Sequence, residues 1–563
     1  MSSIVLNIVS VATGTVVNSV CDHVAGRLRH GDCTDEKCRQ LIVRELDEIK
    51  TKIDGLARKD LQSSVCFLKD GLCLLNHAFE GAANDIEDNK PLDSSEQSED
   101  SSFALAEHDD ELRSQISAFN KALARSPQTL TVRSKERFTS AKLSFENAYS
   151  KATEAFNNEA LSTTERILAT KLRVVSRMLQ CLHEDPEMAM AFCKLYLQQL
   201  HELPAVRKRF VVFFRNKVKS KLSQRKRGEN IRCVMELSYA LYEYAKLFAR
   251  TGLDVLGSWP IIKLRRKAIN PLLMPNKVLK KMLKHGVRSP NQFLFDQIDN
   301  SSCIAVNSKG EIVAKNNSGN SLEVLGTDSK VLGSFCFDSE ADGFEILALA
   351  TDSDDFVYAV TRYKNKSHDL FCYKLYIFGV DLGYVEKQFY LECLTGAGEG
   401  HHIVCLAVCP SSKNILVTKQ DDAKVFVFYP NGESRNSFGL QAWNLIRDLE
   451  ISARGEVAAA ELVGKTVGIY TQDGTLKHEI TLPGLHKVCG LAFDRVDNTV
   501  VVLTEVLTGC FHEYRLLSYS ESGELLRSLV LPRQKKDVGY HLTSHPKGPL
   551  AVVHKTGVIF LHH

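Results

Sequence analysis

Two hydrophobic periods divide the chain. Up to about residue 290, apolar side chains recur every three or four positions, which lays one stripe along a helix. From about 293 they alternate, as in half-buried strands. In the first regime Ile4, Ile8, Val11, Val16, Val20, Val24 and Leu28 predict a helix over 4–30, ended by Gly31. A second helix over 34–60 places Leu41, Leu46, Ile49, Ile53 and Leu56 inward, and a third over 61–79 aligns Val65, Leu68, Leu72 and Leu75. The pattern breaks at 82–104, an acidic, Ser-rich stretch around Pro91 with too little apolar surface to repay ordering, so a disordered linker is expected. Helical spacing resumes over 105–125, 131–160 and 162–183, and the last of these opens on Ser162-Thr163-Thr164-Glu165, the pattern of a capping box. Pro186 and Pro204 start the next two, reaching about 201 and 222, and a final helix spans 230–250. Its Tyr239, Leu241, Tyr242, Tyr244, Leu247 and Phe248 make an aromatic-rich face suited to packing.

In the second regime a unit of about 40–48 residues repeats. One anchor is a turn followed by an apolar strand: SKGEIVAK (308–315), SSKNILVTK (411–419), SARGEVAAA (452–460), DRVDNTVVVL (494–503) and HPKGPLAVV (545–553). The other is a hairpin turning on Asn-Gly, Asp-Gly or Ser-Gly: VFVFYPNGESRNSF (425–438), VGIYTQDGTLKHEI (467–480) and LLSYSESGELLRSL (516–529), with LYIFGVDLGYVEKQF (375–389) as a degenerate copy. Units begin near Cys303, Glu345, His402, Asn444, Lys487 and Tyr540, which makes six. One four-stranded unit cannot bury both its faces, whereas radial stacking buries them all, so a propeller is expected. The last unit is too short for four strands, and QFLFDQI (292–298) is expected to supply the missing one. The fold class is thus multidomain: an all-α helical N-terminal half followed by an all-β six-bladed propeller. The expected divisions are 1–81, 82–104, 105–291 with its basic patches, and 292–563.

The turn, the I/V-x-V strand and the D-x-G or N-G hairpin together resemble the NHL repeat of tripartite-motif-type propellers. The resemblance covers about half the chain. It implies a ring that binds proteins and, in some members, single-stranded RNA. The WD dipeptide is missing, and so are the Cys and His spacings of a RING or B-box, since Cys33 and Cys38 are the one close N-terminal pair. A zinc-dependent ubiquitin ligase is therefore not expected.

Composition adds limits. Apolar residues at 44% and charged residues at 25% exclude a wholly disordered or fibrous chain. Sixteen scattered Cys without a secretory start pattern point to reduced thiols and a cytoplasmic protein without structural zinc. The net charge of +3 conceals a split, about +11 over 1–294 and about −8 over 295–563. Two basic stretches carry it. The first holds Arg207, Lys208, Arg209, Arg215, Lys217, Lys219, Lys221, Arg225, Lys226 and Arg227; the second includes Lys263, Arg265, Arg266, Lys267, Lys280 and Lys281. Together they are expected to form one surface for an acidic partner: the acidic propeller, another protein, or an anionic membrane. A solvated helix face is the plainer reading of the same residues. The acidic ring disfavours nucleic acid as a partner. Homo-oligomerisation through the helices is a further expectation.

Catalytic patterns are sparse. The chain has no phosphate-binding loop, no H-E-x-x-H and no G-x-S-x-G, and the glycines at 396, 398 and 400 open no helix. Cys405 and Cys409 are read as small core residues. His402, Asp448, Glu450 and His541 are the candidates for a calcium-dependent tunnel hydrolase, but they do not make a spaced oxygen-ligand set. The expected function is therefore a non-enzymatic interaction scaffold without a cofactor, with a membrane-engaging helical effector, a tunnel hydrolase and an RNA-binding propeller as the rivals.

Overall fold

The computed structural model describes residues 58–87, 132–181, 186–214, 224–246, 252–264, 268–284, 289–294 and, apart from short connecting stretches, 303–561. The predicted helix over 4–30, most of that over 34–60 and the segment 88–131 lie outside the described residues. The chain forms two compact units. The first comprises 1–248, 259–271 and 284–287, the second 249–258, 272–283 and 288–563.

The first unit is helical. Its described helices are α1 (Lys59–Glu87), α2 (Val132–Asn157), α3 (Thr163–Gln180), α4 (Pro186–Glu202), α5 (Pro204–Phe214) and α6 (Gln224–Lys246). The helix α1 runs past residue 79, because Ala82 and Ala83 are strong helix formers. The capping box forms as predicted: the Ser162 hydroxyl accepts from the Glu165 N–H at 3.3 Å, and Glu165 accepts from the Ser162 N–H at 2.7 Å. Pro186 and Pro204 open α4 and α5, where the missing N–H has no intrahelical partner to lose. Phe145, Leu172, Met178, Tyr196, Phe210 and Tyr242 fill the core. Gly71 lets α1 approach α2, since a Cβ there would lie 2.6 Å from the Phe145 ring. On α6, Tyr239, Leu241, Tyr242 and Tyr244 are core, with Tyr242 set edge-on to Trp259 at 5.9 Å and the indole N–H donating to Ser238 at 2.9 Å, while Leu247 and Phe248 lie outside the described residues.

The second unit is a six-bladed propeller. Six four-stranded antiparallel sheets start at innermost strands Ile304–Val306, Glu345–Thr351, Val404–Val408, Ile446–Ile451, Lys487–Phe493 and Tyr540–Ser544, close to the six predicted unit starts. These innermost strands neighbour one another around the whole ring, blade 6 beside blade 1. The sixth blade holds three strands from the C-terminal end and takes its outermost strand, Gln292–Leu294, from the start of the propeller. Leu294, Phe293 and Gln292 pair with Gly557, Val558 and Ile559, so the predicted clasp forms.

The hairpin glycines have a packing role that their turn position alone does not show. Gly474 in blade 4 sits at φ +93°, and a Cβ there would lie 2.4 Å from the Cβ of Phe438 in blade 3. Gly432 in blade 3 receives Phe389 of blade 2 in the same way, at 2.7 Å. Only glycine combines the positive φ with room for the neighbouring ring. In the degenerate copy Leu382 holds a positive φ of 60° and is buried instead.

Two further helices belong to this unit: α7 (Gly252–Gly257) and α8 (Asn276–Leu283). On α7, Leu253, Val255 and Leu256 are buried, and Asp254 pairs with Arg527 of blade 5. On α8, Leu279 and Met282 are buried, and the Asn276 amide donates to Thr556 at 2.7 Å. Just ahead of α8, the Met274 backbone N–H and carbonyl both bond the Gln292 amide, at 2.9 and 3.0 Å. Segment 272–283 thereby covers the blade edge that the clasp strand would otherwise expose. Gln292→Ala leaves both Met274 groups buried without partners. It is expected to cost about 1–3 kcal/mol, read as an earlier midpoint in urea unfolding of the full chain.

Candidate functional site

The basic residues divide between the two units. On α5, Val206 and Phe210 turn inward while Arg207 and Lys208 are exposed and Arg209 is half-buried. Arg207 Nε donates to the Lys263 carbonyl at 3.1 Å, which brings α5 against the hairpin of Ile262–Lys263 and Ala268–Ile269. Lys280 and Lys281 lie on α8 in the propeller unit, Lys280 exposed and Lys281 half-buried, where burial lowers the pKa of its amine. The backbone of Arg225, Lys226 and Arg227 is the first turn of α6. Their side chains, and Arg215, Lys217, Lys219, Lys221, Arg265, Arg266 and Lys267, lie outside the described residues.

A second charged group assembles at one end of the ring. Strands in a blade alternate in direction, so the turns between each first and second strand share that end. Three aspartates of the blade 2 turn organise it. Asp355, at φ +66°, accepts from the Ser308 N–H and hydroxyl of blade 1 at 2.6 and 2.5 Å. His545 of blade 6 donates from Nε2 to the Asp352 carbonyl at 2.7 Å and stands 3.0 Å from the Asp355 carboxylate. Lys413 of blade 3 reaches Asp354 at 2.5 Å and the buried Asp352 at 3.4 Å, and Lys547 of blade 6 reaches Asp354 at 3.3 Å. Asp352 also accepts from the Tyr358 hydroxyl at 3.2 Å. Burial works against ionisation of Asp355, yet the hydrogen bonds from His545 and Ser308 hold it at about 2. Lys413 and Lys547 lower Asp354 as well. Further round, Arg454 of blade 4 pairs with Glu521 of blade 5. Four blades are thus tied through one turn, while Lys547 at 64% and Asp354 at 47% side-chain exposure still face solvent.

The tunnel candidates are only partly brought together. Asp448 and Glu450 project from the same side of the innermost strand of blade 4. Asp448 accepts from the Leu491 N–H of blade 5 at 2.7 Å and from the Leu449 N–H at 2.9 Å. Burial raises Asp448 to about 6, and burial together with Asp448 raises Glu450 to about 8. His541 is pushed down to about 4 by burial and by the Arg447 cation, and no hydrogen bond joins it to either carboxylate among the described residues. His402 lies outside them. Cys405 donates to the Arg447 carbonyl at 3.6 Å, while Cys409 contacts Ser411 at 3.4 Å, so the two thiols serve different partners. Among the described residues no three His, Cys, Asp or Glu are grouped to hold a metal ion.

No protein-family model matches the chain. No curated protein matches it either. Among solved structures it is similar to a protein of unknown function from Bacteroides caccae, at 15% identity over 41% of this chain and 81% of that one, with a TM-score of 0.33. A virginiamycin B lyase from Staphylococcus aureus aligns at 12% identity over 47% of this chain and 97% of its own, TM-score 0.32. The β-propeller domain of Cps50 (Swd1) from Myceliophteria thermophila aligns at 12% identity over 47% and 98%, TM-score 0.32. The six blades rest on the strand pairing itself, and the NHL likeness stands as a resemblance of the repeat.

The charged end of the ring is not among the sites expected from sequence. Its signal lies in the repeated turns, where SKG, SSK, SARG and HPKG place Ser, Lys, Arg and His at equivalent positions and Asp352-Ser353-Asp354-Asp355 stands opposite them. Within any single blade, such residues are ordinary turn formers.

Proposed function

We infer that the chain is a non-enzymatic, cytoplasmic interaction scaffold whose propeller binds a protein partner at the charged end of the ring. The observation that carries this reading is the turn network of Asp352, Asp354, Asp355, Lys413, His545 and Lys547. It fixes exposed charges on a rigid frame before any partner arrives, and preorganised charge gives an interface specificity and a fast encounter. The helical unit supplies a second contact, with Arg207, Lys208 and the neighbouring Lys263 turned toward an anionic protein or membrane surface. No described helix is long and apolar enough to cross a membrane.

The test is affinity purification of the full chain beside a variant carrying Lys547→Glu and Arg454→Glu. Both side chains are exposed, so the fold should persist within about 0.5 kcal/mol per substitution. Proteins recovered with the wild type are expected to fall at least tenfold in the variant. An unchanged set of recovered proteins from a folded variant places binding elsewhere and refutes this assignment.

A further inference from the structure

The helix α3 is buried on nearly every side, and two of its cations lie in an unusual setting. The guanidinium of Arg173 lies between the rings of Phe156, at 4.8 Å, and Tyr196, at 4.2 Å. One turn on, Arg177 lies between Tyr149, at 4.8 Å, and Phe192, at 4.2 Å. Tyr196 in turn stacks on Tyr149 at 5.6 Å and on Phe192 at 6.3 Å, so α2, α3 and α4 share one ladder of alternating rings and cations.

Stacking occupies the faces of a guanidinium and leaves its edge, where all five N–H donors lie. Those edges are only partly used. Arg173 Nε and Nη1 and Arg177 Nε are buried without a hydrogen-bond partner, while Arg177 Nη1 donates to Gln180 at 2.7 Å and the tyrosine hydroxyls of Tyr149 and Tyr196 face Arg173 and Arg177 respectively. Neither arginine pairs with a carboxylate among the described residues. Arg173 is only 4% exposed, and burial lowers the pKa of its guanidinium. Ring faces compensate part of a buried cation, but buried charge without a counter-ion is costly and ordinarily paired. Arg177 is half-buried and stands nearer solvent.

We propose that Arg173 and Arg177 are the floor and lip of a binding site for a small dianionic phosphate, either inorganic phosphate or a phosphomonoester. The unpartnered Nε and Nη1 of Arg173 form a planar fork that matches two phosphate oxygens bidentately, with Arg177 Nε beside it. A dianion balances two cations, whereas a single carboxylate balances one.

The experiment is thermal unfolding of the full chain in inorganic phosphate against sodium chloride at matched ionic strength. Phosphate is expected to raise the midpoint by about 2–4 °C, because a ligand bound to the folded state alone stabilises it. Arg173→Met keeps most of the stem volume and removes the charge. It is expected to abolish the phosphate response without lowering the midpoint in chloride, since apolar replacement of a buried ion is commonly neutral or stabilising. Equal wild-type midpoints in the two salts overturn the proposal, as does a phosphate response that survives in Arg173→Met. Should Arg173→Met fail to fold, Arg177→Gln at the lip decides: its half-saturating phosphate concentration is expected to rise at least tenfold, and an unchanged value refutes the site. A parallel titration with phenyl phosphate separates the two sources. Tighter binding than inorganic phosphate assigns the site to a phosphomonoester, weaker binding to the free ion.

Discussion

Phe560→Ala is expected to lower the unfolding free energy of the propeller unit by about 3–5 kcal/mol, the usual cost of deleting a buried phenyl ring. Phe560 is 4% exposed and lies in the third strand of blade 6. Its ring meets Phe293 of the clasp strand edge-on at 5.6 Å and touches the turn of blade 1, with the position of a Gly310 Cβ 3.6 Å away. One side chain therefore joins the clasp to its blade and that blade to the first. A cavity there cannot be filled by a small shift, because blades 6 and 1 are held by their own strand pairing. Phe293→Ala removes the same ring contact from a half-buried position and should cost less. Urea unfolding of the two variants in the full chain measures both. Equal small losses, under about 1 kcal/mol, show that ring closure does not depend on this contact.

Glu450→Gln is expected to raise stability at alkaline pH and leave it nearly unchanged in acid. The folded chain holds Glu450 at about 8, against 4.5 for an ordinary glutamate, so between those values it keeps a proton that the unfolded chain has lost. Stability must then fall as pH rises through this window and level off above about 9. Asp448, at about 6, adds a fall of the same sign at lower pH. Half-buried His541, pushed down to about 4, acts oppositely below pH 6.5, because its neutral form is the one folding favours. From pH 7 to 9 Asp448 and His541 no longer titrate, and thiols raised by burial, such as Cys489, tilt wild type and variant alike, so the difference between the two curves reports Glu450. A tenfold change in an ionisation constant corresponds to about 1.4 kcal/mol, and allowing for partial exposure the difference at pH 9 should be a few kcal/mol. Denaturation midpoints of wild type and Glu450→Gln across pH 7–9 test this. Parallel curves mean that Glu450 is ionised in the folded chain throughout. Asp355 provides the opposite sign: held at about 2, it stabilises the fold above pH 4 and loses that contribution as pH falls through 2.

Helices α1 to α6 and the blades were legible because each obeys a local rule. The capping box at Ser162 needs only four residues to close, and Pro186 and Pro204 act through their own missing N–H groups. Six blades followed from repetition: each copy carries the same unburied faces, so the number of turns and hairpins counts the blades. Even the clasp of Gln292–Leu294 was implied, as the strand needed to complete a short last unit.

Charge was legible only as density. Summed along the chain, Arg207 and Lys280 belong to neighbouring basic stretches, yet one lies in the helical unit and the other in the propeller unit. Sequence order does not say which unit a short segment joins, because 249–258 and 272–283 are recruited by contacts made hundreds of residues away, Asp254 with Arg527 and Asn276 with Thr556.

Alternation and repetition in the sequence determined helices α1 to α6, the blade count and the closure of the ring, since each rests on burying apolar faces at a fixed period. Tertiary structure alone decided the rest. Radial stacking set Ser308, Asp355, Lys413 and Lys547 side by side from four separate turns, and helix packing slid Arg173 and Arg177 between rings from α2 and α4. Such side chains bear no mark in the sequence, because a charge acquires its partners and its desolvation only when distant elements meet.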